Sequence, residues 1–97
     1  MIALYWTERA QADLAAVQAF IEGDSTAFAQ IAVRRLISAV DPLRDFPHLG
    51  RQVDEFPDPT IREIVRRPYR IVYRIVSDDV IHIVTIHHSA RGPIGFL

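Results

Sequence analysis

Ile61-Arg62-Glu63-Ile64-Val65-Arg66-Arg67-Pro68-Tyr69-Arg70-Ile71-Val72-Tyr73-Arg74-Ile75-Val76 sets five arginines against one acid, Glu63, within β-branched and aromatic sequence. Such residues favour strands. The stretch reads as two of them, 61–66 and 69–77. Asp78-Asp79 makes a tight hairpin into a third apolar strand, 80–88, which ends in His87-His88-Ser89-Ala90-Arg91. Three sequential strands form an antiparallel meander. An unpaired buried charge is costly, so these arginines must line a solvated face or meet a partner. Guanidinium favours the planar, multi-donor contacts that phosphates and carboxylates offer.

Working outward, Ile2 to Trp6 is short, apolar and aromatic, and reads as a first strand. Thr7 is a good helix N-cap, and Glu8 lies in the first turn, where the helix dipole favours an acid. Ala10, Leu14, Val17 and Ile21 recur at helical spacing, predicting a helix over 8–22 that stops at Gly23. Asp24-Ser25 caps a second helix over 25–44, with a broad apolar stripe of Phe28, Ile31, Ala32, Leu36, Ala39, Val40 and Leu43. Pro42 ends or kinks it near Asp41. Residues 45–60 connect to the meander, with apolar anchors in Phe46-Pro47-His48-Leu49-Gly50 and breaks at Pro57 and Pro59.

The predicted class is therefore α+β in the order β-α-α-β-β-β, one domain spanning 1–97, with a helical hairpin packed on a small antiparallel sheet. The stripe of the first helix should face Phe28, Ile31, Leu36 and the sheet. The first strand should join the sheet beside the last. The other face should stay partly open, with the arginines on it, and 91–97 should be a loose tail.

Composition sets bounds. A chain of 97 residues with 49% hydrophobic and 24% charged content can bury one core as a soluble globular domain. No apolar stretch approaches the ~20 residues of a membrane span. The N-terminus lacks the basic start of a signal peptide. With no cysteine, disulfides and thiolate metal sites are excluded. A cytoplasmic protein is the natural expectation. The net charge of −1 hides an asymmetry: residues 1–60 hold five arginines and nine acids, and residues 61–97 hold six arginines and three acids. A basic C-terminal half fits an anionic partner. There is no lysine at all, which GC-rich coding accounts for without function.

Side chains alternate faces along a strand. Tyr69, Ile71, Tyr73 and Ile75 suit the helices, leaving Arg70, Val72, Arg74 and Val76 on the other face. A strict two-residue turn at Asp78-Asp79 sets Arg70 opposite His87; a longer turn or a bulge sets it with His88. Arg70, a histidine and Arg91 would then make an electropositive pocket able to bind phosphate, stabilise charge in phosphoryl transfer and supply a general acid or base. Spacing alone favours a plainer alternative, in which His82, His87 and His88 are polar strand residues and the arginines pair with surface acids. Adjacent histidines point to opposite faces and form no metal site. No cofactor is called for.

Pro68-Tyr69-Arg70-Ile71-Val72-Tyr73-Arg74-Ile75, the Asp78-Asp79 hairpin and the ending His88-Ser89-Ala90-Arg91 together resemble the RelE/ParE toxin superfamily. Trp6-Thr7-Glu8-Arg9-Ala10-Gln11-Ala12-Asp13-Leu14 and Phe46-Pro47-His48-Leu49-Gly50-Arg51 extend the resemblance, which runs from Tyr5 to Arg91. It implies the toxin half of a type II toxin–antitoxin module that stabilises a plasmid. The partner implied is a cognate antitoxin, with DNA reached only through the antitoxin and no membrane involved.

The superfamily has two activities. RelE- and YoeB-like members cleave mRNA on the ribosome; ParE-like members poison DNA gyrase. Arg70 matches the arginine of the Tyr-Arg-Leu/Ile-Val-Tyr motif, and His88 matches the histidine that YoeB-like members use in catalysis. In a nuclease His88, Arg70 and Arg91 would be the catalytic groups. The chain departs from that pattern. Ser89 stands where a tyrosine follows the histidine, no acid lies near Pro47 or His48, and neither the RelE-like C-terminal helix with its tyrosine nor its lysines are present. A short chain ending His-x-x-Arg resembles the ParE branch, which implies gyrase as target. Arg62, Arg66, Arg67, Arg70, Arg74 and Arg91 would then serve the antitoxin or the target. An inactive module that only binds antitoxin is a third possibility.

Overall fold

The computed structural model describes all residues, Met1–Leu97. Strand β1 (Ala3–Trp6) leads into α1 (Glu8–Glu22) and α2 (Thr26–Ala39). A 3-10 turn (Asp41–Arg44) and a two-residue strand β2 (Arg51–Gln52) precede the meander of β3 (Ile61–Arg66), β4 (Tyr69–Ser77) and β5 (Val80–His88). A second 3-10 turn covers Ser89–Arg91. Thr7 caps α1 by accepting from the Ala10 N–H, and its hydroxyl donates to the Val84 carbonyl at 3.0 Å. One residue thus starts the helix and fastens it to β5. Ser25 caps α2 through the Phe28 N–H. The second helix stops at Ala39 and not at 44, because Pro42 at the head of the 3-10 turn brings no N–H to continue an α-helical ladder.

The sheet order is β1-β5-β4-β3-β2. β1 does join beside the last strand, in parallel, so the antiparallel meander carries one parallel edge. β2, paired with Arg62 and Glu63 of β3, was not foreseen, since two residues carry no periodicity. The β4–β5 hairpin opens at Ser77 opposite Val80 and has irregularities at Ile75/Ser77 and at Val72/Tyr73. The first displaces the register and the second restores it. Arg70 therefore lies opposite His87, and Tyr69 opposite His88.

The helices cover one face. Ala10 and Val17 of α1 and Leu36 and Ala39 of α2 pack with Ile64, Ile71, Tyr73, Ile81, Ile83 and Ile86; Leu14 and Ile21 lie partly buried against them. The stripe of α1 thus faces the sheet, but the arc expected of α2 needs correction. Phe28 is 68% exposed and Ile31 44%, while Ala29 is buried. Seven apolar positions span more arc than one contact can bury, and α2 buries Ala29, Leu36 and Ala39.

The opposite face also differs from expectation. It carries a second cluster of Val53, Ile61, Val72 and Ile94, with Phe56 and Leu97 against it. The tail is a strap rather than a loose end. Gly92 turns the chain at φ 77°, in the left-handed region that glycine adopts without strain. Ile94 is then only 4% exposed, and burial of such a side chain contributes about 1.5–3 kcal/mol. No helix is long and apolar enough to cross a membrane.

Candidate functional site

Two charged regions flank the C-terminal end of the sheet. On the tail-covered face Arg70 meets two carboxylates. Its Nη1 and Nη2 donate to Glu55 at 2.6 and 2.8 Å, and its Nε donates to Glu63 at 2.6 Å. Arg51 Nε donates to the other oxygen of Glu63 at 2.7 Å. Glu63 is 2% exposed, so two guanidinium groups compensate one buried anion. Glu55 also accepts from the Ile94 N–H at 2.8 Å, which ties the tail to the network. The forked hydrogen bonds from Arg70 hold the Glu55 carboxyl down at about 2 against the opposing effect of burial. The same carboxylates keep Arg70 firmly charged.

His87, across from Arg70, contacts the Gly92 carbonyl through Nε2 at 2.7 Å. A carbonyl only accepts, so that nitrogen carries the proton. The tail thereby occupies both His87 and Glu55. The open pocket expected from Arg70, a histidine and Arg91 is not what forms here; Arg70, Glu55 and Arg51 line a mixed-charge hollow walled by Ser89, Gly92 and Pro93.

His88 and Arg91 belong to a different place. They line a groove on the helix-covered side with Tyr69, Ile86 and the α1 residues Asp13, Val17 and Phe20. Residues opposite one another in a ladder share a face. Arg66, Tyr69 and His88 therefore form one row across β3, β4 and β5, and the Tyr69 and His88 rings meet edge to face at 5.3 Å. His88 Nδ1 accepts from the Ala90 N–H at 3.0 Å, so the neutral ring carries its proton on Nε2. Asp13 accepts from the Ile86 N–H at 3.0 Å and from the Thr85 hydroxyl. It clips α1 to β5 and sets the groove wall.

The six arginines singled out from sequence thus divide. Arg70 is locked by Glu55 and Glu63. Arg62 donates to the Gly50 carbonyl at 2.9 Å, and Arg74 lies 4.0 Å from Asp58. Arg66, Arg67 and Arg91 are exposed, and none forms a salt bridge; Arg66 reaches only the Val65 carbonyl. Sequence reasoning missed Glu55, Asp13 and Phe20. Only Glu63, a lone acid among arginines, signalled an internal charge network. Glu55 sits in an irregular connection where spacing carries no information.

Comparison with known proteins is consistent across sequence and fold. Residues 4–93 match the family model of the ParE toxin of the type II toxin–antitoxin system parDE. The chain is similar to Toxin RelE2 of Caulobacter vibrioides, at 38% identity over 91 residues, covering 94% of this chain and 99% of that one. It is also similar to the putative toxin Y4kP of Sinorhizobium fredii, at 35% identity over 86 residues, with 87% and 84% covered. Among solved structures, a chain of the chromosomal ParDE TA system from P. aeruginosa superposes with a TM-score of 0.73 at 26% identity, covering 91% of this chain and 96% of that one. YafQ from E. coli shares the fold, with a TM-score of 0.53 at 12% identity and 94% and 97% covered.

Proposed function

This chain belongs to the ParE toxin family of type II toxin–antitoxin systems, and from that premise we propose that it poisons DNA gyrase without chemistry of its own. A cognate antitoxin is its partner. The observation that carries the gyrase reading is the separation of Arg70 from His88. Of the three groups that would serve mRNA cleavage, Arg70 lies on the opposite face of the sheet from His88, which shares its groove with Arg91, and each of the three guanidinium nitrogens of Arg70 donates to a carboxylate. A guanidinium held by two carboxylates offers little to a phosphoryl transition state. Glu55, held at about 2, is a weak base at neutral pH.

In this reading the toxin acts in the cytoplasm and maintains the replicon that encodes it. The antitoxin's C-terminal part wraps the toxin, laying an amphipathic helix against the helical hairpin and an extended segment toward the sheet. Exposed Phe20, Phe28, Ile31 and Ile37 supply an apolar seat for the helix. Of the six arginines, those left free for the target are Arg66, Arg67 and Arg91, since Arg62, Arg70 and Arg74 have internal contacts. A second reading, ribosome-dependent mRNA cleavage, draws on the groove where His88, Arg91 and Tyr69 meet. Purified toxin tested in a gyrase supercoiling assay and in primer extension of mRNA on ribosomes separates the two. The proposal expects inhibited supercoiling and intact transcripts; cleaved transcripts with unimpaired gyrase would overturn it.

A further inference from the structure

Three of the arginines without an acid partner are clustered, whereas Arg34 and Arg35 stand exposed on α2 and Arg9 and Arg62 donate to backbone carbonyls. Arg66 and Arg67 enter the β3–β4 turn, and Arg91 ends the 3-10 turn after β5. The two turns are joined by a hydrogen bond from the Ser89 N–H to the Pro68 carbonyl at 2.9 Å. Arg66 also stands in the cross-strand row with Tyr69 and His88. One end of the sheet is thus a braced cationic tip built from two chain segments. The neighbouring acids are turned elsewhere: Asp13 is held by Thr85 and Ile86, and Glu55 and Glu63 are held by Arg70.

What such a tip recognises follows from charge and surface. The exposed phenylalanines of the hairpin, Phe20 and Phe28, call for an apolar partner, whereas the tip presents guanidinium groups beside a half-buried tyrosine. Planar guanidinium matches phosphate oxygens two at a time. A duplex carries about one charge per 1.7 Å of axis, dense enough to meet several neighbouring guanidinium groups together. The rest of the molecule argues for a local contact. The chain has a net charge of −1, so without these three arginines it would carry −4. DNA therefore attracts the tip and repels the remainder. Free duplex should be held weakly, and the contact should matter where another protein presents the DNA.

We infer that Arg66, Arg67 and Arg91 contact the phosphodiester backbone of the duplex bound by gyrase, so that the toxin recognises the enzyme–DNA complex in preference to the free enzyme. This rests on the gyrase reading. The test measures toxin affinity for gyrase alone and for gyrase preloaded with a linear duplex, at about 50 and about 200 mM salt. The duplex should raise affinity by about tenfold or more at the lower salt. The logarithmic salt slope should steepen by about 2.7 on loading, as expected for three phosphates.

The Arg66→Ala/Arg67→Ala/Arg91→Ala variant should lose this gain while keeping its circular dichroism spectrum, its antitoxin affinity and its residual affinity for free gyrase. Arg44→Ala, which removes a charge paired with Asp41, should keep the gain. Wild-type toxin that binds free and loaded gyrase equally overturns the inference alone, as does a triple variant with an undiminished gain. A triple variant that loses antitoxin binding instead assigns the tip to the antitoxin and also overturns it. Wild-type toxin that binds neither form of gyrase overturns the gyrase reading and this inference with it.

Discussion

Arg67 and Arg70 are three residues apart and have opposite surroundings. Arg70 points to the tail-covered face, where it makes three hydrogen bonds to two carboxylates and is part of the architecture. Arg67 sits at the turn, exposed and without an acid partner. Strand alternation and the position of one turn, not residue type, decide which arginine holds the fold together and which faces outward. A basic run in a strand is therefore two populations, and only one of them is available to a partner.

This contrast predicts a graded series of effects. Removing one member of the buried network should cost most. Glu63→Ala leaves Arg70 short of one carboxylate and Arg51 without its ion pair, and Arg70→Ala leaves Glu63 largely desolvated with a single partner. Breaking a buried pair from one side costs about 3–5 kcal/mol, which urea denaturation would register directly. A loss below about 1 kcal/mol for both variants would mean that the network is ornamental and would erase the distinction between the two regions.

Acid should act on the same network. Because Glu55 falls from its ordinary 4.5 to about 2 in the folded state, its contribution is complete above about pH 4.5 and fades as pH drops toward 2. Its size is on the order of 3 kcal/mol. Urea midpoints taken across that window should fall steeply for wild type and less so for Glu55→Gln. Parallel profiles would show that Glu55 is not held by Arg70 in solution.

The strap gives a further, smaller effect. Ile94→Ala should destabilise toward the lower end of about 2–5 kcal/mol, because a site at the margin can collapse around the missing atoms. Hydrogen exchange at the Ile94 amide, donated to Glu55, should quicken with it. No change in either would return the tail to the loose segment expected from its glycines and proline. Smallest of all, Arg67→Ala and Arg91→Ala should shift stability by no more than about 0.5 kcal/mol, since neither forms an ion pair to lose.

Much of the fold could be read from sequence, and the reasons are local. Thr7, Ser25 and Pro42 fix helix ends through their own hydrogen-bonding chemistry, and the Asp78-Asp79 hairpin with the β-branched runs gives the bounds of β3, β4 and β5. What could not be read depended on contacts between distant segments. The choice between His87 and His88 as the neighbour of Arg70 turned on two irregularities that cancel, and neither has a sequence signature. Glu55 reaches Arg70 from an irregular connection across 15 positions. Phe28 and Ile31 read as core because hydrophobicity marks what can be buried, while the residues α2 buries are Ala29, Leu36 and Ala39. The same exposed residues are those proposed to meet the antitoxin.

The central claim, that this toxin acts on gyrase and performs no proton transfer, is tested most directly by supercoiling inhibition with wild-type and His88→Ala toxin side by side. The account predicts that both inhibit, with half-inhibitory concentrations within about twofold, because general acid–base catalysis would otherwise contribute about 100- to 10,000-fold. Failure of wild-type toxin to inhibit gyrase, together with ribosome-bound mRNA cleaved by wild type and left intact by His88→Ala, would contradict it.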